Sequence, residues 1–501
     1  MTPVTEAQRV KRSLRDRTAS DRRRHVPVHV VWEITLACNL KCGHCGSRAG
    51  KRRANELSTA ECLDVVHQLA EAGTREVTLI GGEAYLRRDW LEIAAEIARL
   101  GMHCGVQTGA RGLTKERIQA AYDAGVRAIG VSVDGLRDLH DSLRGVPGSH
   151  DQAIQAVRWI AEVGIEPGVN TQINARSAPQ LRQIFDEIVA AGAKYWQVQL
   201  TVAMGNAVDN SEILLQPHQI IDVVDCLAEL YHKGRDVGFR LAPGNSIGYF
   251  GRHEAYWRSL TGEISHWDGC TAGETALGLE ADGTVKGCPS LPKSHYASGE
   301  TRTTTIKDAM AGLADRTVRR DVNRGRGFCG SCYYWNFCQG GCTWVSHVLE
   351  GRRGDNPYCH YRATTLARRG LRETITKVAE APDEPFAVGR FKLGLEYLDG
   401  SPAPRSLARD DKPRRRDRRL VPCRSCSEFI FPSETACPHC GATNLAEHRV
   451  EEKTEIDGVK RHMRSLIDEI DLHQGQMLAL VNSLDGESRP VDGGHPNRGK
   501  A

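Results

Sequence analysis

The chain has 501 residues, in which 67 Lys and Arg oppose 63 Asp and Glu to leave a formal net charge of +4. This length exceeds one ordinary core and predicts about three domains. The composition, 40% hydrophobic and 26% charged, is that of a globular protein, and no run approaches the roughly 18 apolar residues of a membrane span. The start, MTPVTEAQRVKRSLRDRTASDRRRH, lacks the apolar core of a secretory signal. These features argue against a membrane or secreted protein.

Cysteine is the most informative residue type, with 17 copies in a chain that has no export signal. Disulfides are disfavoured in a reducing cytosol, so clustered cysteines there indicate metal ligands. Most of them fall into three groups with ligand-like spacing, near the N-terminus, in the middle and near the C-terminus. The exceptions, Cys62, Cys104 and Cys226, lie in apolar patterns and are expected to be small buried hydrophobes.

The first half of the chain alternates between short apolar runs and amphipathic segments. Strands are predicted at 28–34, 76–80, 103–108, 128–133, 168–173 and 195–201. The helices between them carry start and stop signals, such as the capping box of Ser58 and Glu61 and the later Gly73. This alternation predicts a parallel sheet with right-handed crossovers. Six units are fewer than the eight of a closed barrel, so the predicted fold class is α/β, with a partial (β/α)6 TIM-like barrel over 28–245.

The sequence after this barrel predicts smaller units. The run ALGLEADGTVKGC over 276–288 alternates around Asp282 and Gly283, which indicates a hairpin. It lies within a small cysteine-rich α+β domain predicted over 246–375. The other predicted segments are a basic N-terminal tail over 1–27, a Pro/Arg-rich linker over 376–419, a zinc ribbon over 420–445, an amphipathic helix over 446–485 and a disordered tail over 486–501.

The N-terminal cysteines, Cys38, Cys42 and Cys45, follow the first predicted strand with the spacing C-x3-C-x2-C. Three cysteines cannot complete a tetrahedral zinc site, but they can hold a 4Fe–4S cluster with one iron open. This spacing at the start of a βα repeat resembles the radical SAM superfamily. The resemblance implies that S-adenosylmethionine binds the open iron and is cleaved by one electron to a 5′-deoxyadenosyl radical, which abstracts a substrate hydrogen. The alternative is a structural zinc site or an incidental group of cysteines.

Further motifs carry the same resemblance and imply contacts to the cofactor. The second strand ends in a GGE-type motif, whose backbone in this superfamily meets the methionine amine. The segments VSVDG, after the fourth strand, and HDSLRG resemble those that reach the ribose and the carboxylate, whereas the matches on the third and fifth strands are less specific. The residues that the resemblance places at the cofactor are Gly81, Gly82, Glu83, Thr108, Ser132, Asp134, Arg144 and Asn170.

The middle group of cysteines has the spacing of a second known module. Its members are Cys270, Cys288, Cys329, Cys332, Cys338, Cys342 and Cys359. All seven positions resemble the SPASM domain, which carries two auxiliary 4Fe–4S clusters. The resemblance implies that Cys270, Cys288 and Cys342 hold the first auxiliary cluster and that the other four hold the second. The alternative is two zinc sites in a treble-clef-like module.

The first auxiliary cluster would have three cysteine ligands and one position to fill. Some relatives add an eighth cysteine just before the position of Cys270, where this chain reads GEISHWDG. The sequence leaves Asp268, His266, water or a group of the substrate as the fourth ligand. An open auxiliary iron could bind substrate, whereas a closed one would mainly pass electrons.

The C-terminal cysteines form two knuckles, Cys423-x2-Cys426 and Cys437-x2-Cys440, separated by ten residues. Four thiolates at this spacing are typical of a zinc ribbon, in which Zn²⁺ stabilises a fold that has little core. A fourth iron–sulfur cluster is the less favoured alternative. The expected cofactors are therefore S-adenosylmethionine, three 4Fe–4S clusters and Zn²⁺.

The combination of radical SAM and SPASM motifs resembles enzymes that modify ribosomally made precursor peptides by crosslinking, epimerisation or other oxidation. The segments LRGVPGS and HWDGC resemble maturases associated with GDL-motif peptides. Enzymes of haem- or quinone-type cofactor biosynthesis and protein-residue maturases share the cysteine framework and stay open, although Pro289 replaces the aspartate that sulfatase maturases place after the position of Cys288. No acid–base residue is identified from the sequence.

Partners and location follow from this resemblance. We expect a precursor peptide, a reductant such as flavodoxin or ferredoxin, and a cytoplasmic location, because an open iron suits a reducing interior. The chain offers no room for the winged-helix leader-binding domain of many peptide maturases, so a separate protein, the barrel or the ribbon would bind the leader. Alternatives of other classes are a non-catalytic iron–sulfur or electron-transfer protein and a tRNA-modifying enzyme. Nucleic-acid binding is disfavoured because the basic stretches at 9–24 and 405–419 lack interleaved aromatics.

Overall fold

The structure is a computed structural model that describes residues 14–15, 17–258, 265–316, 325–414 and 419–443. The predicted amphipathic helix over 446–485 and the predicted tail over 486–501 lie outside the described residues. The chain forms two compact units. One comprises Met1–Arg418 with Cys426–Phe429, and the other comprises Arg419–Ser425 with Ile430–Ala501.

Fourteen strands occur in the described residues. They are β1 (His29–Thr35), β2 (Glu76–Gly81), β3 (His103–Thr108), β4 (Val126–Ser132), β5 (Glu166–Ile173), β6 (Tyr195–Leu200), β7 (Arg240–Pro243), β8 (Ala276–Leu279), β9 (Thr284–Lys286), β10 (Ala297–Glu300), β11 (Leu371–Ala379), β12 (Arg390–Tyr397), β13 (Val421–Pro422) and β14 (Phe429–Ile430).

Sixteen α-helices accompany these strands in the same described ranges. They are α1 (Ala19–Arg24), α2 (Thr59–Glu71), α3 (Trp90–Arg99), α4 (Lys115–Asp123), α5 (Arg137–Arg144), α6 (Ser149–Val163), α7 (Leu181–Ala190), α8 (Asn206–Asp209), α9 (Ile220–Asp236), α10 (Glu254–Trp257), α11 (Lys293–Tyr296), α12 (Ile306–Arg316), α13 (Gly327–Ser331), α14 (Trp335–Cys338), α15 (Thr343–Glu350) and α16 (His360–Ala367).

The central sheet has ten strands in the order β10-β9-β8-β1-β2-β3-β4-β5-β6-β7. Strands β1 to β7 pair in parallel along the chain, and the helices between them supply the crossovers. The six predicted strands are therefore present, and the sheet is open, so the barrel is only partly closed. β7 adds a seventh parallel strand that the sequence did not predict, because its four residues are too short for a clear apolar alternation.

Helix α2 begins and ends as its capping signals indicate. Ser58 accepts a hydrogen bond from Glu61 N and the Glu61 carboxylate accepts one from Ser58 N, which closes the predicted capping box of α2. Gly73, just beyond this helix, has a φ of +86°, a conformation that favours glycine. The buried face of α2 is formed by Cys62, Val65, Val66 and Leu69, as the apolar spacing predicts.

The predicted hairpin at 276–288 is confirmed, because β8 and β9 pair antiparallel. Its place in the fold was not predicted, since β8 also pairs in parallel with β1, from His29 with Ala276 to Trp32 with Leu279. Consequently the cysteine-rich region shares one sheet with the barrel. Strand pairing across such a sequence separation leaves no local signal in either strand.

The segment 376–419 differs from the predicted linker, because β11 and β12 form an antiparallel hairpin there. Leu371, Glu373 and Ile375 point to the buried side of β11 in regular alternation. Glu373 accepts hydrogen bonds from Arg362, whose side chain is 0% exposed and also pairs with Asp355. The sequence did not predict this hairpin, because a buried charged residue interrupts its apolar pattern and because the residues after 400 are rich in Pro and Arg.

The described part of the predicted basic tail is also structured. Thr18 caps α1, Asp21 pairs with Arg75 at 2.7 Å, and Arg15 makes a bidentate hydrogen bond with Glu76. These contacts therefore attach the N-terminal segment to the start of β2. No helix in the described part of the chain is long and apolar enough to cross a membrane.

Candidate functional site

The strands of the parallel sheet end on one edge, and the predicted cofactor residues lie along it. The N-terminal cysteines occupy the loop that follows β1, and each of their sulfurs lies near an N–H donor. Leu40 N and Ala49 N lie 3.4 Å from the sulfurs of Cys38 and Cys45, and Arg144 Nη1 lies 3.6 Å from that of Cys42. Donors aimed at sulfur favour the thiolate form, which is the form that binds metal. These contacts fit an iron–sulfur cluster.

Burial raises the pKa of Cys38 to about 12 and the pKa of Cys42 to about 11. Cys42 and Cys45 are electrostatic neighbours of Cys38, and Cys45 is one of Cys42, so a second negative charge raises the pKa of Cys38 and of Cys42 further. The positive charge of a bound metal ion reverses this preference and deprotonates the thiols. The loop is therefore suited to hold charged sulfurs only when a metal cluster is bound.

Gly81 and Gly82 at the end of β2 pack directly against this loop. A Cβ at Gly82 would lie 2.1 Å from the carbonyl oxygen of Ala37, and one at Gly81 would lie 2.3 Å from that of Thr35. Gly82 N and Glu83 N donate to these same two carbonyls, at 2.9 and 2.8 Å. The two glycines are thus required for the close approach of backbone to the cysteine loop.

Glu83 is buried, and its carboxylate accepts hydrogen bonds from Thr108 Oγ1 and, at 2.6 Å, from Gly109 N. Burial raises the pKa of Glu83 to about 7, although these hydrogen bonds oppose the shift. The side chain therefore ties β2 to the end of β3. Thr108, a less specific prediction, is brought to the GGE segment through this contact.

Asp134 and Arg144 are brought together in an ion pair. Asp134 is 0% exposed, accepts from Gln172 N at 2.8 Å, and lies 3.1 Å from His44 Nε2. Burial alone would raise the pKa of this carboxyl, but Arg144 and His44 outweigh it and hold the pKa well below its usual range. Both carboxylate oxygens of Asp134 thus have protein partners, and its contact with the cofactor stays a prediction.

Ser132 and Asn170 lie side by side, because β4 and β5 pair in this register. Asn170 donates to Gln107, while its buried Oδ1 has no hydrogen-bond partner in the described structure. A buried amide oxygen without a partner is costly, so the site fits a ligand that donates there. His44 Nδ1, in the cysteine loop, is another buried atom without a hydrogen-bond partner in the described ranges.

The middle cysteines form a SPASM-like arrangement of two sets. Cys342 has Cys270 and Cys288 as electrostatic neighbours. A separate set comprises Cys329, Cys332, Cys338 and Cys359. Burial raises the pKa of every thiol in the second set, and neighbouring thiols raise it further at Cys329, Cys332 and Cys338. The two sets are the same as those implied by the family resemblance.

The two candidate fourth ligands near Cys270 are engaged elsewhere. Asp268 pairs with Arg22 of α1 and lies 3.8 Å from Arg17. The ring of His266 packs edge-on against Phe337, and its Nδ1 lies 3.0 Å from the Trp267 carbonyl. Both side chains therefore have protein partners in the described structure, and the identity of the fourth ligand stays as open as the sequence left it.

A strap, which we define as residues 380–389 between β11 and β12, lies on the cysteine loop. Phe386 N donates to Gly46 O at 3.1 Å, and Gly205 N donates to Ala387 O at 2.8 Å. The Phe386 ring lies 4.3 Å from Nζ of the buried Lys286, two residues before Cys288. The strap therefore contacts both the N-terminal cysteine loop and the strand that leads to Cys288. The sequence reasoning missed it because it lay inside the predicted linker.

The C-terminal cysteines lie together as the ribbon spacing predicts. The sulfurs of Cys423, Cys426, Cys437 and Cys440 are all within 4.8 Å of one another, beside the two-stranded sheet of β13 and β14. His439 N lies 3.4 Å from Cys437 Sγ. Four thiols at this spacing fit a tetrahedral metal ion.

An open parallel α/β sheet with a three-cysteine loop after its first strand defines the class of radical enzymes that use an iron–sulfur cluster. A family model described as the radical SAM superfamily matches residues 32–175. Fe-coproporphyrin III synthase of Methanosarcina barkeri is 31% identical over 355 residues, which cover 66% of this chain and 87% of that protein. The chain belongs to the radical SAM superfamily and is an enzyme whose cofactors include S-adenosylmethionine and an iron–sulfur cluster.

Other relatives are named as maturases. Mycofactocin maturase MftC of Mycobacterium tuberculosis is 26% identical over 339 residues, which cover 66% of this chain and 82% of that protein. The fold is similar to that of SuiB from Streptococcus suis, solved with its precursor peptide SuiA. That match has a TM-score of 0.53 and 18% identity, and it covers 68% of this chain and 77% of SuiB.

Proposed function

We propose that this enzyme oxidatively modifies a ribosomally synthesised precursor peptide. The observation that carries the proposal is the set of three middle thiols together with its link to the N-terminal cysteine loop through the strap. Phe386 N donates to Gly46 O, and the Phe386 ring lies 4.3 Å from Nζ of Lys286, two residues before Cys288. Three thiols leave one iron of a 4Fe–4S cluster without a protein ligand, and a peptide side chain can bind there. The similarity to a mycofactocin maturase supports maturation as the type of reaction.

The proposed ligands divide among four metal sites. Cys38, Cys42 and Cys45 would hold the cluster that binds S-adenosylmethionine. When bound, this pair of cofactors supplies the 5′-deoxyadenosyl radical that abstracts a substrate hydrogen. The two sets of middle cysteines would hold two auxiliary 4Fe–4S clusters, and the four ribbon cysteines would hold Zn²⁺. The zinc ribbon is proposed to begin at residue 420, because the four ribbon cysteines lie directly after it.

The chain's own residues would orient S-adenosylmethionine by three means. The Gly81–Gly82 backbone would present polar groups to the methionine amine, since no side chain intervenes. Ser132 and the unpaired Oδ1 of Asn170 would meet the ribose. Arg144 and Asp134 would act indirectly, because their ion pair holds the Arg144 guanidinium beside Cys42 Sγ.

Metal content tests the assignment of sites. The full chain, reconstituted without oxygen, is expected to hold about twelve iron and one zinc per chain, falling to about eight iron when Cys38, Cys42 and Cys45 are replaced with Ala. Little iron with several zinc ions would overturn the catalytic proposal and favour a zinc-stabilised binding protein. Incubation with S-adenosylmethionine and dithionite should release 5′-deoxyadenosine from the wild type and not from the triple variant.

The substrate class needs a separate experiment. Short peptides encoded beside the gene would be co-expressed with the enzyme and compared by mass spectrometry with peptides co-expressed with the triple variant. We expect one peptide to lose the mass of hydrogen or, if a residue only changes configuration, to take up one deuterium when the co-expression is done in deuterated water. An unmodified peptide set, with turnover of an iron tetrapyrrole instead, would favour the second candidate. That candidate, tetrapyrrole biosynthesis, is supported by the 31% identical Fe-coproporphyrin III synthase.

A further inference from the structure

The connection between the two sets of middle cysteines is a left-handed turn. Cys338 belongs to one set and Cys342 to the other, and the residues between them are Gln339, Gly340 and Gly341. All three have positive φ, at +52°, +84° and +67°. The backbone of a side-chain-bearing residue rarely adopts this region, so the turn must be stabilised by its surroundings.

A second left-handed run packs onto this turn. Residues 248–251, with the sequence Gly-Tyr-Phe-Gly, have φ values of +93°, +80°, +59° and +99°. Two of the four are aromatic residues, for which such φ values are strained. Tyr249 is 0% exposed and Phe250 is 2% exposed, so the strained segment is held in the core. Strain that the surrounding structure maintains in this way is concentrated at functional sites.

Tyr249 contacts the segments of both cysteine sets. Its hydroxyl accepts a hydrogen bond from Cys342 N at 2.9 Å and donates to the carbonyl of Asn245. Its own carbonyl accepts from Tyr361 N at 3.5 Å, in the first turn of the helix that follows Cys359, and lies 3.5 Å from Cys359 Sγ. The side chain therefore fixes Cys342, while the backbone fixes the segment that carries Cys359.

The packing around Tyr249 leaves no space for adjustment. A Cβ at Gly341 would lie 2.7 Å from two atoms of the Tyr249 ring. A Cβ at Gly251 would lie 2.1 Å from Nδ1 of His360, the residue after Cys359. The glycines on both runs are thus required for the contact between the two strained segments.

We propose that Tyr249 is a positioning residue that fixes the two auxiliary iron–sulfur centres relative to each other, through its hydroxyl at Cys342 and its carbonyl at the helix after Cys359. This inference rests on the proposed function, because it requires that both cysteine sets hold clusters. Hydrogen bonds and dipoles beside the sulfur ligands set the reduction potential of such clusters. Loss of the hydroxyl should therefore alter the electronic properties of the first centre without removing its ligands.

The test compares Tyr249→Phe with Tyr358→Phe as a matched control. Tyr358 is also buried and donates its hydroxyl to a backbone carbonyl, that of Leu215. Both substitutions would be made in the full chain carrying Cys38→Ala, Cys42→Ala and Cys45→Ala, so that only the auxiliary centres are seen. Iron content, the EPR spectrum of the reduced protein and the midpoint potentials would be measured.

We expect about eight iron per chain in both variants, with altered g-values and a shifted midpoint potential only in Tyr249→Phe. Potentials and spectra that are the same in the two variants would overturn the inference. A parent triple variant that binds no iron would instead overturn the proposed function, which is a distinguishable result. If Tyr249→Phe does not fold, 3,5-difluorotyrosine at position 249 keeps the ring and hydroxyl, and the same shift is expected from its weaker acceptor oxygen.

Discussion

Replacement of Arg362 with Met tests whether the β11–β12 hairpin is part of the cysteine-rich core. The Arg362 side chain is 0% exposed, donates to both carboxylate oxygens of Glu373 at 2.6 Å, and pairs with Asp355. Asp355 in turn lies 3.4 Å from Cys329 N and precedes Cys359 by four residues. The substitution would leave two buried carboxylates with a much reduced positive charge nearby.

Breaking a buried ion pair by removing one partner costs about 3–5 kcal/mol. The unfolding entropy is about 2.1 cal/mol/K per residue, or about 0.8 kcal/mol/K for the roughly 390 described residues of the larger unit. Division of these values predicts that Tm falls by about 4–6 °C. Part of the loss is offset by Arg405, whose Nη1 lies 2.6 Å from Glu373.

Differential scanning calorimetry on the metal-free chain, under reducing conditions, measures this shift directly. The matched control is Arg182→Met, which breaks an ion pair with Glu229 that is more than half exposed at both ends. Exposed pairs contribute little because water and salt screen them, so the control should leave Tm unchanged. An equal Tm for the two variants would refute the view that Arg362 joins the hairpin to the core.

Three further outcomes follow from the structure. Gly82→Ala should abolish 5′-deoxyadenosine release, because the added Cβ would lie 2.1 Å from Ala37 O. The control Gly50→Ala, whose Cβ would meet nothing within 4 Å, should retain it. Equal release from the two variants would contradict the packing argument. Burial would raise the pKa of Glu76, but the ion pair with Arg15 outweighs burial and lowers this pKa to about 2. The stability that the Arg15–Glu76 pair contributes is therefore complete above pH 4.5 and is lost as the pH falls toward 2. In denaturant titrations, Arg15→Gln should be less stable than wild type at pH 7, and a difference that persists at pH 2 would oppose this assignment. Cys437→Ser should remove one zinc and no iron by elemental analysis, and a loss of iron would assign an iron–sulfur cluster to the ribbon.

The local parts of the fold could be predicted from sequence because their signals are local. Six strands, the capping box at Ser58 and the hairpin at 276–288 each follow from residues within a few positions of one another. The cysteine spacing likewise grouped the middle thiols into the same two sets that the structure brings together, since ligand spacing is a constraint on neighbouring residues.

The contacts between distant segments could not be predicted in this way. The pairing of β1 with β8, the strap on the cysteine loop and the contact of Asp134 with His44 each join segments whose sequences carry no mark of their partner. Asp134 illustrates the limit, because the motif identified the residue but burial decided that its oxygens bind protein groups.

The sequence by itself therefore determined the chemistry that this chain can support, because the type and spacing of cysteines and glycines are fixed along the backbone. Only the tertiary structure decided which groups face one another across the sheet, and hence which polar atoms are already satisfied. The left-handed run at 248–251 is the clearest case, since its strained backbone accompanies contacts of Tyr249 with Cys342 and with the helix that follows Cys359, which are far from it in sequence.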